Sequence, residues 1–512
     1  MAKLVIDNWL GGISFSDRLG REGSYFIGRA VNPINPFHLG YLCPGPLPVL
    51  ISSTPTEVSS ITVDDNKDKA YLLEGIRGGA TKLHMYNFNS GNMSSTGDWP
   101  HSVPNSGEDT TIFQIGTTSY LLYSYYNNVG RATLVNDGGG ARNFNDIFLS
   151  TNPAGASSLT GDMPHPMLRW GESGFLYIAD GRSLHQFDGQ TGDHGTLTTG
   201  RLQLPVGWII TSLFDAGEYI GITAKYMPSP HAVERRQKTE VFFWDGTSSS
   251  FNLRKPISDK QIIASIAKDG EYFTFGVDDL EQGTIKKFDG ARFVSQDIMR
   301  TNRAVGTTIT KFARRIEYGA VRGYRSVDTI HNMIIFGASL ESDADIFLYG
   351  SPQEGLPPAL FNLSPPNLTD VTQTKVFAIK VSKGDEILFS AQAGAVNYFS
   401  KISLADANNP YFLYKSFYFE FPKRTRINYV KCHFKALASG EGDDILLDLD
   451  YGNRQIHAGN ISYAEDKAIT EKRLGVKKNC DNFRLVIQPD EGVGIKYGKI
   501  IVDYTLLETD VK

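Results

Sequence analysis

The chain has 512 residues, a net charge of -5, 12% aromatic residues, 51 glycines and 23 prolines. A length well past the single-core limit of roughly 250–300 residues calls for several domains or a repeat, and the composition suits an all-β fold of short strands and tight turns better than helices. The slightly acidic balance lacks the clustered basic excess of a nucleic-acid binder.

Residues 1–47 differ from the rest, being dense in Gly, Pro, Asn and aromatics, as in Trp9-Leu10-Gly11-Gly12-Ile13-Ser14 and the stretch from Pro33 to Pro48. Such a segment cannot bury a core of its own and is expected to be an extended N-terminal arm. Two roles are open to it: lying over the next domain or lending it a closing strand, or ordering on a neighbouring subunit. The opening Met1-Ala2-Lys3-Leu4-Val5-Ile6-Asp7-Asn8 has no long apolar run, and no stretch approaches the ~18 apolar residues of a membrane span. The expectation is a soluble product made in a cytoplasm.

From 48 to 405 a short unit recurs, clearest at Ile285-Lys286-Lys287-Phe288-Asp289-Gly290 with Phe293 following. Its cousins are Leu184-His185-Gln186-Phe187-Asp188-Gly189 and Val241-Phe242-Phe243-Trp244-Asp245-Gly246. Alternating apolar and polar residues ending in an aromatic describe a half-buried strand, and Asp-Gly suits a tight turn: glycine takes positive φ, and aspartate bonds back to the local backbone. Looser copies are anchored at Phe88, Asn136, Tyr349 and Tyr398, and the intervals run from about 44 to about 61 residues. That spacing lies close to the period of roughly 40–50 residues of propeller blades, and it predicts a β-propeller of six or seven blades over 48–405.

Within each unit a Gly-aromatic strand such as Gly174-Phe175-Leu176-Tyr177-Ile178-Ala179 comes before the Asp-Gly turn and is expected to be the inner strand of its blade. The basic stretch Thr310-Lys311-Phe312-Ala313-Arg314-Arg315-Ile316-Glu317-Tyr318 is expected as an inserted loop or short helix on one rim, solvated or paired to an acidic neighbour. After 406 the alternation lengthens: Val430, Cys432 and Phe434 oppose Lys431, His433 and Lys435, and Ile445, Leu447 and Leu449 repeat the device. Several one-sided strands over 406–512 predict a β-sandwich.

The sequence carries no catalytic, cofactor-binding or metal motif. Asp64-Asp65, Asp278-Asp279 and Asp443-Asp444 are adjacent, so on a strand their carboxylates face opposite ways and cannot share a substrate. Cys43, Cys432 and Cys480 are odd in number and far apart, which argues for buried thiols over disulfides or zinc. The histidines show no ligand spacing, and neither a P-loop nor a GxSxG elbow is present. The Asp-Gly units therefore read as structural turns, and the chain as a non-enzyme that needs no cofactor.

The opening Ile6-Asp7-Asn8-Trp9-Leu10-Gly11-Gly12-Ile13, the following Gly23-Ser24-Tyr25-Phe26-Ile27-Gly28-Arg29-Ala30, the run of blades and the terminal Lys415-Ser416-Phe417-Tyr418-Phe419-Glu420-Phe421-Pro422 segment resemble tailed-bacteriophage virion proteins, specifically propeller-bearing tail nozzle or tail-hub proteins. The resemblance implies a structural tail component in the virion, a homo-oligomeric ring, six subunits favoured, in contact with adaptor, hub or fibre proteins. Genomic DNA would pass through such a ring without specific binding, so a neutral or acidic lumen is expected, because phosphate contacts would slow ejection. Two other classes stay open: a receptor- or glycan-binding module using Trp99, Tyr125, Tyr126, Tyr226 and Trp244 as stacking platforms, and a propeller glycoside hydrolase whose site is gathered from distant strands.

Overall fold

The structure, a computed structural model, describes residues 2–507 except 14–23, 26, 54, 76–79, 96–97, 135–140, 162, 172–173, 191–193, 228–237, 279–282, 300–308, 313–325, 341–342, 365–373, 383, 394–395, 411 and 491–492. It is all-β. Among the described residues helix is confined to Phe148–Thr151, Tyr463–Asp466 and a 3-10 turn at Asp450–Gly452.

Seven antiparallel sheets follow one another as the blades of a propeller. Blade 1 is built on Val58–Asp64, Lys69–Glu74, Thr81–Asn87 and His101–Val103, and blade 2 on Gly107–Ile115, Thr118–Tyr125, Asn128–Leu134 and Ala141–Asn145. Blade 3 uses Met167–Trp170, Phe175–Asp180, Ser183–Asp188 and Thr196–Gln203, and blade 4 uses Trp208–Ala216, Tyr219–Tyr226, Lys238–Trp244 and Leu253–Ile257. Blade 5 comprises Gln261–Lys268, Glu271–Val277, Gly283–Phe288 and Phe293–Met299; blade 6 comprises Val327–Ile330, Met333–Leu340, Asp343–Gly350 and Ala359–Ser364. Blade 7 takes three strands, Thr374–Val381, Glu386–Ala393 and Val396–Ser403, and borrows its fourth, Val49–Ser52, from the start of the chain. Closure by a distant strand removes the free edges that an open array would leave.

The sequence anchors mark the third strand of each blade or the turn just after it. Phe187, Trp244, Phe288 and Tyr349 lie on third strands, Phe88 follows the third strand of blade 1, and Tyr398 lies within that of blade 7; Asn136 falls outside the described residues. Two expectations need correction. The Gly-aromatic strands are the second strands of their blades, not the innermost. The inner strands are Met167–Trp170, Trp208–Ala216 and Gln261–Lys268 in blades 3 to 5, each of which precedes the Gly-aromatic strand.

The polar face of a third strand is also not always open to solvent. Lys286, assigned by its alternation to a solvent face, is 5% exposed, because both faces of a middle strand pack against neighbouring blades. Its ammonium is held by the Asp259 carboxylate at 2.6 Å and the Ser258 hydroxyl at 2.7 Å. Burial still pushes the Asp259 carboxyl upward despite Lys286. Of the basic stretch, Ile309–Phe312 forms a strand beside Met333–Leu340; residues 313–325 lie outside the described residues.

The arm docks on its own chain. Ala2–Ile6 runs antiparallel to Tyr497–Leu506, Ile27–Arg29 pairs with Leu413–Lys415, and Leu42 exchanges both backbone hydrogen bonds with Tyr497. Trp9 and Tyr25 are buried against Tyr414, with ring centroids 5.4 and 5.5 Å apart, contacts of the kind worth about 0.5–1.5 kcal/mol each beyond area burial. Asn32 and Asn35 donate their side-chain amides to the Leu404 carbonyl at 2.9 and 3.1 Å. At Gly45 an added Cβ would lie 2.0 Å from the Leu363 carbonyl oxygen of blade 6, so the arm's path demands glycine there.

Residues 413–506 build, together with the arm strands, one continuously hydrogen-bonded set of eight strands. The reason is the 19-residue strand Glu471–Pro489. Its first half pairs with Phe419–Phe434 and its second half with Gly442–Leu449. Val430 and Cys432 from one half and Ile445 and Leu447 from the other share a core with Trp9 and Tyr25 of the arm and Phe361 and Phe389 of the propeller.

Candidate functional site

The inner strands are where the propeller could carry a site. In five blades this strand is interrupted by a bulge, between Val58 and Ser60, Gly107 and Asp109, Ile210 and Ser212, Ile262 and Ala264, and Val376 and Ile379. A bulge leaves residues unpaired and bends the strand. Four of the residues that resume pairing, Asp109, Ser212, Ala264 and Ile379, line a cavity of about 420 Å³ on the axis, a size in the range of small-molecule sites, roughly 300–1,000 Å³.

Most polar groups around this axis join one blade to the next. Asp109 accepts from the Thr110 N–H at 2.8 Å and the Ser60 hydroxyl at 3.0 Å through Oδ1, and from the Met167 N–H at 2.8 Å through Oδ2, linking blades 1, 2 and 3. The hydroxyls of Thr223 and Ser265 meet at 2.6 Å between blades 4 and 5. In the cavity wall Lys380 pairs with Asp328 at 3.0 Å, and Asp328 also accepts from the Val381 N–H at 2.8 Å. Asp215 is exposed at the cavity, and the Ser212 hydroxyl is buried with no hydrogen-bond partner among the described residues. Buried His165 bridges the carbonyls of Tyr126 and Ala179 at 2.8 and 2.9 Å, tying blade 2 to blade 3.

Sequence reasoning missed these residues. Their only trace is a repeated small-polar pair after an apolar or glycine residue, Val58-Ser59-Ser60, Gly107-Glu108-Asp109 and Ile210-Thr211-Ser212.

The predicted turns lie in three successive blades and do not converge on one site. Each aspartate works as an acceptor rather than by adopting positive φ. Asp188 Oδ1 accepts from the Gln190 N–H at 2.8 Å, and Asp289 Oδ1 accepts from the N–H groups of Ala291 and Arg292 at 2.9 and 2.8 Å. Asp245 is the richest: Oδ1 takes the N–H groups of Thr247 and Ser248, and Oδ2 takes the Ser248 hydroxyl at 2.6 Å and the Asn252 amide at 2.8 Å. The Ser248 hydroxyl and N–H, with Asn252 and Thr247, hold its carboxyl far below the usual carboxylate range. Gly246 and Gly290 have φ of 77° and 93°, whereas Gly189 is absent from the left-handed region and is pressed against blade 2.

Phe187 and Trp244 are fully buried, and Phe288 packs against both Phe243 and Tyr272, with ring centroids 5.4 and 6.0 Å away. The proposed stacking platforms are in the interior: Trp99, Tyr125 and Trp244 are buried, and Tyr126 and Tyr226 are half-buried. All three cysteines are free and buried. Asp64, at the end of its strand, is buried and Asp65, in the turn after it, is exposed; Asp444 turns outward to His457 while Asp443 points inward. No group of three or more metal-ligating side chains occurs among the described residues, and no helix among them is long and apolar enough to cross a membrane.

No family model matches the sequence, and no curated protein matches it. Among solved structures the chain is similar to the Dos1 propeller, at 11% identity with a TM-score of 0.42, covering 70% of this chain and 94% of that one. A puromycin hydrolase mutant shares 12% identity with a TM-score of 0.44 over 67% of this chain and 51% of that one. The propeller domain of Myceliophteria thermophila Cps50 (Swd1) shares 8% identity with a TM-score of 0.41, covering 69% and 99%.

Proposed function

We propose that the protein is a structural component of a bacteriophage tail, a subunit of a nozzle-like ring beside the path of the ejected DNA. The observation that supports this reading is the way the chain is locked. Its arm crosses blade 6 and zips into the same sheet as residues 497–506, and the strand that follows the arm, Val49–Ser52, closes blade 7. Propeller, arm and C-terminal sheet thereby share one core, which suits a part that must transmit force without deforming. The polar groups at the propeller axis are spent largely on joining blades, which fits a scaffold better than a catalyst. Neighbouring adaptor, hub or fibre proteins would contact its exposed blade edges.

Electron cryo-microscopy of the purified protein and of virions tests this reading. The expected result is a closed ring at the tail; a protein that stays monomeric and is missing from virions would sink it. A second reading rests on the axial cavity, where the buried Ser212 hydroxyl, Asp215 and the Asp328–Lys380 pair could orient a small polar ligand. Glycan-array binding that Ser212→Val abolishes would favour that reading.

A further inference from the structure

The outward face of the C-terminal sheet carries charge that the chain's total conceals. In Phe419–Phe434 the side chains of Ile427, Val430 and Cys432 are buried in the core, so by strand alternation Tyr429, Lys431 and His433 face away, as does Arg426 beyond the bulge between Ile427 and Tyr429. The register sets Lys431 opposite Arg473 on one neighbouring strand, and His433 opposite Lys499 on the other. Tyr429 is opposite Asp503, and Asp503 is opposite Lys3 of the arm. Five cations therefore spread over four adjacent strands. The Arg473 guanidinium lies 3.6 Å over the Tyr429 ring.

Glu471 and Asp503 share this face on the paired strands, and exposed Asp7 continues the Lys3–Val5 alternation at its edge. Glu471 is taken by Lys431 at 2.8 Å and His433 at 3.3 Å. Asp503 is buried and accepts from the Asn428 amide at 2.7 Å. Residues 406–512 hold as many acidic as basic side chains, so the whole net charge of -5 falls on residues 1–405. A polyanion is repelled by the rest of the molecule and drawn to this face.

We propose that this face holds the phosphate backbone of double-stranded nucleic acid, without reading its sequence. Lysine is depleted at the centre of a protein–protein interface, whereas Lys431 stands at the centre of this face beside Arg473 and Tyr429, with Ile501 and Val5 its apolar members. Protein–DNA interfaces are instead strongly positive. Four strands span about 14 Å at the usual interstrand spacing, enough to meet the phosphates on both sides of a groove about 12 Å wide. About five phosphate contacts give a weak, salt-labile hold, with Kd on the order of 10⁻⁴ to 10⁻⁶ M at physiological salt. The inference does not depend on the tail reading, and a hold this weak lets a duplex slide.

The test is fluorescence anisotropy with the full chain and two labelled duplexes of unrelated sequence. Equal affinity for both is expected, falling about 10²- to 10³-fold between about 50 and 200 mM salt. Lys431→Glu with Arg473→Glu should lose at least about tenfold with thermal unfolding unchanged, the double glutamine variant should lose less, and Arg201→Glu on the propeller should lose nothing. No binding at low salt, a preference for one sequence, or binding that ignores the double variants overturns the proposal. Displacement by polyglutamate as effective as by unlabelled duplex overturns it too, and assigns the face to an acidic protein.

Discussion

Phe187-Asp188-Gly189 and Phe288-Asp289-Gly290 are the same three residues at the same point of two blades, yet they meet different demands. At Gly189 the backbone is ordinary and space is lacking: an added Cβ would lie 2.3 Å from the Gln114 carbonyl oxygen and 2.6 Å from Phe113. At Gly290 space is free and the backbone is unusual, with φ at 93° and no atom within 4 Å of the added Cβ. Phe187 is sealed under blade 2, whereas Phe288 is half-buried. A repeat can therefore conserve its letters while the physics behind each letter changes from packing to conformation.

The largest effect should come from Gly189→Ala, about 3 kcal/mol or more, because the clash is with backbone that cannot rotate away; thermal or urea unfolding measures it. Asp245→Ala comes next at about 2 kcal/mol, since it orphans several donors at one turn. A smaller contrast is in pH. Asp245 is held below its ordinary value, so its contribution is present above the unfolded carboxylate pKa of about 3.9 and is lost as pH falls toward the folded one. Burial pushes Asp443 the other way, up to about 7; its native state binds the proton more tightly, so stability falls as pH rises from about 4 to about 7. Asp443→Asn should flatten that upper slope and Asp245→Asn the acid one, each read from the unfolding midpoint against pH. Gly290→Ala should cost about 1 kcal/mol, through the left-handed backbone alone. Asp289→Asn should be nearly silent, because an amide oxygen still accepts from Ala291 and Arg292; loss of function with the fold intact would overturn the view of this turn as scaffold.

The anchors were legible because an aromatic and an Asp-Gly pair stand together at the end of a third strand. The inner strands were not, since a bulge such as that at Ser59 breaks the alternation on which strand recognition rests. Lys286 misled for another reason: alternation implies a wet face only when a sheet has one. Neither could the arm's destination be read. Ile27–Arg29 finds Leu413–Lys415 across most of the chain, and no local pattern encodes that partner. The continuous hydrogen bonding of the C-terminal strands was obscured because one long strand serves two sets of neighbours. The turn aspartates were seen, but their exchange of hydrogen bonds with later residues such as Asn252 depends on loop shape.

The pairing of Ala2–Ile6 with Tyr497–Leu506 also sets an order of events in synthesis. Ala2–Ile6 leaves the ribosome long before its partner Tyr497–Leu506, and Val49–Ser52 likewise precedes residues 399–401, its partners in blade 7. Middle blades can form from local hairpins while translation continues, but the ring and the arm set only afterwards, through contacts of very high sequence separation. A chain interrupted before Tyr497–Leu506 would leave Ala2–Ile6 without its pairing strand, so this sheet closes only once both have been made.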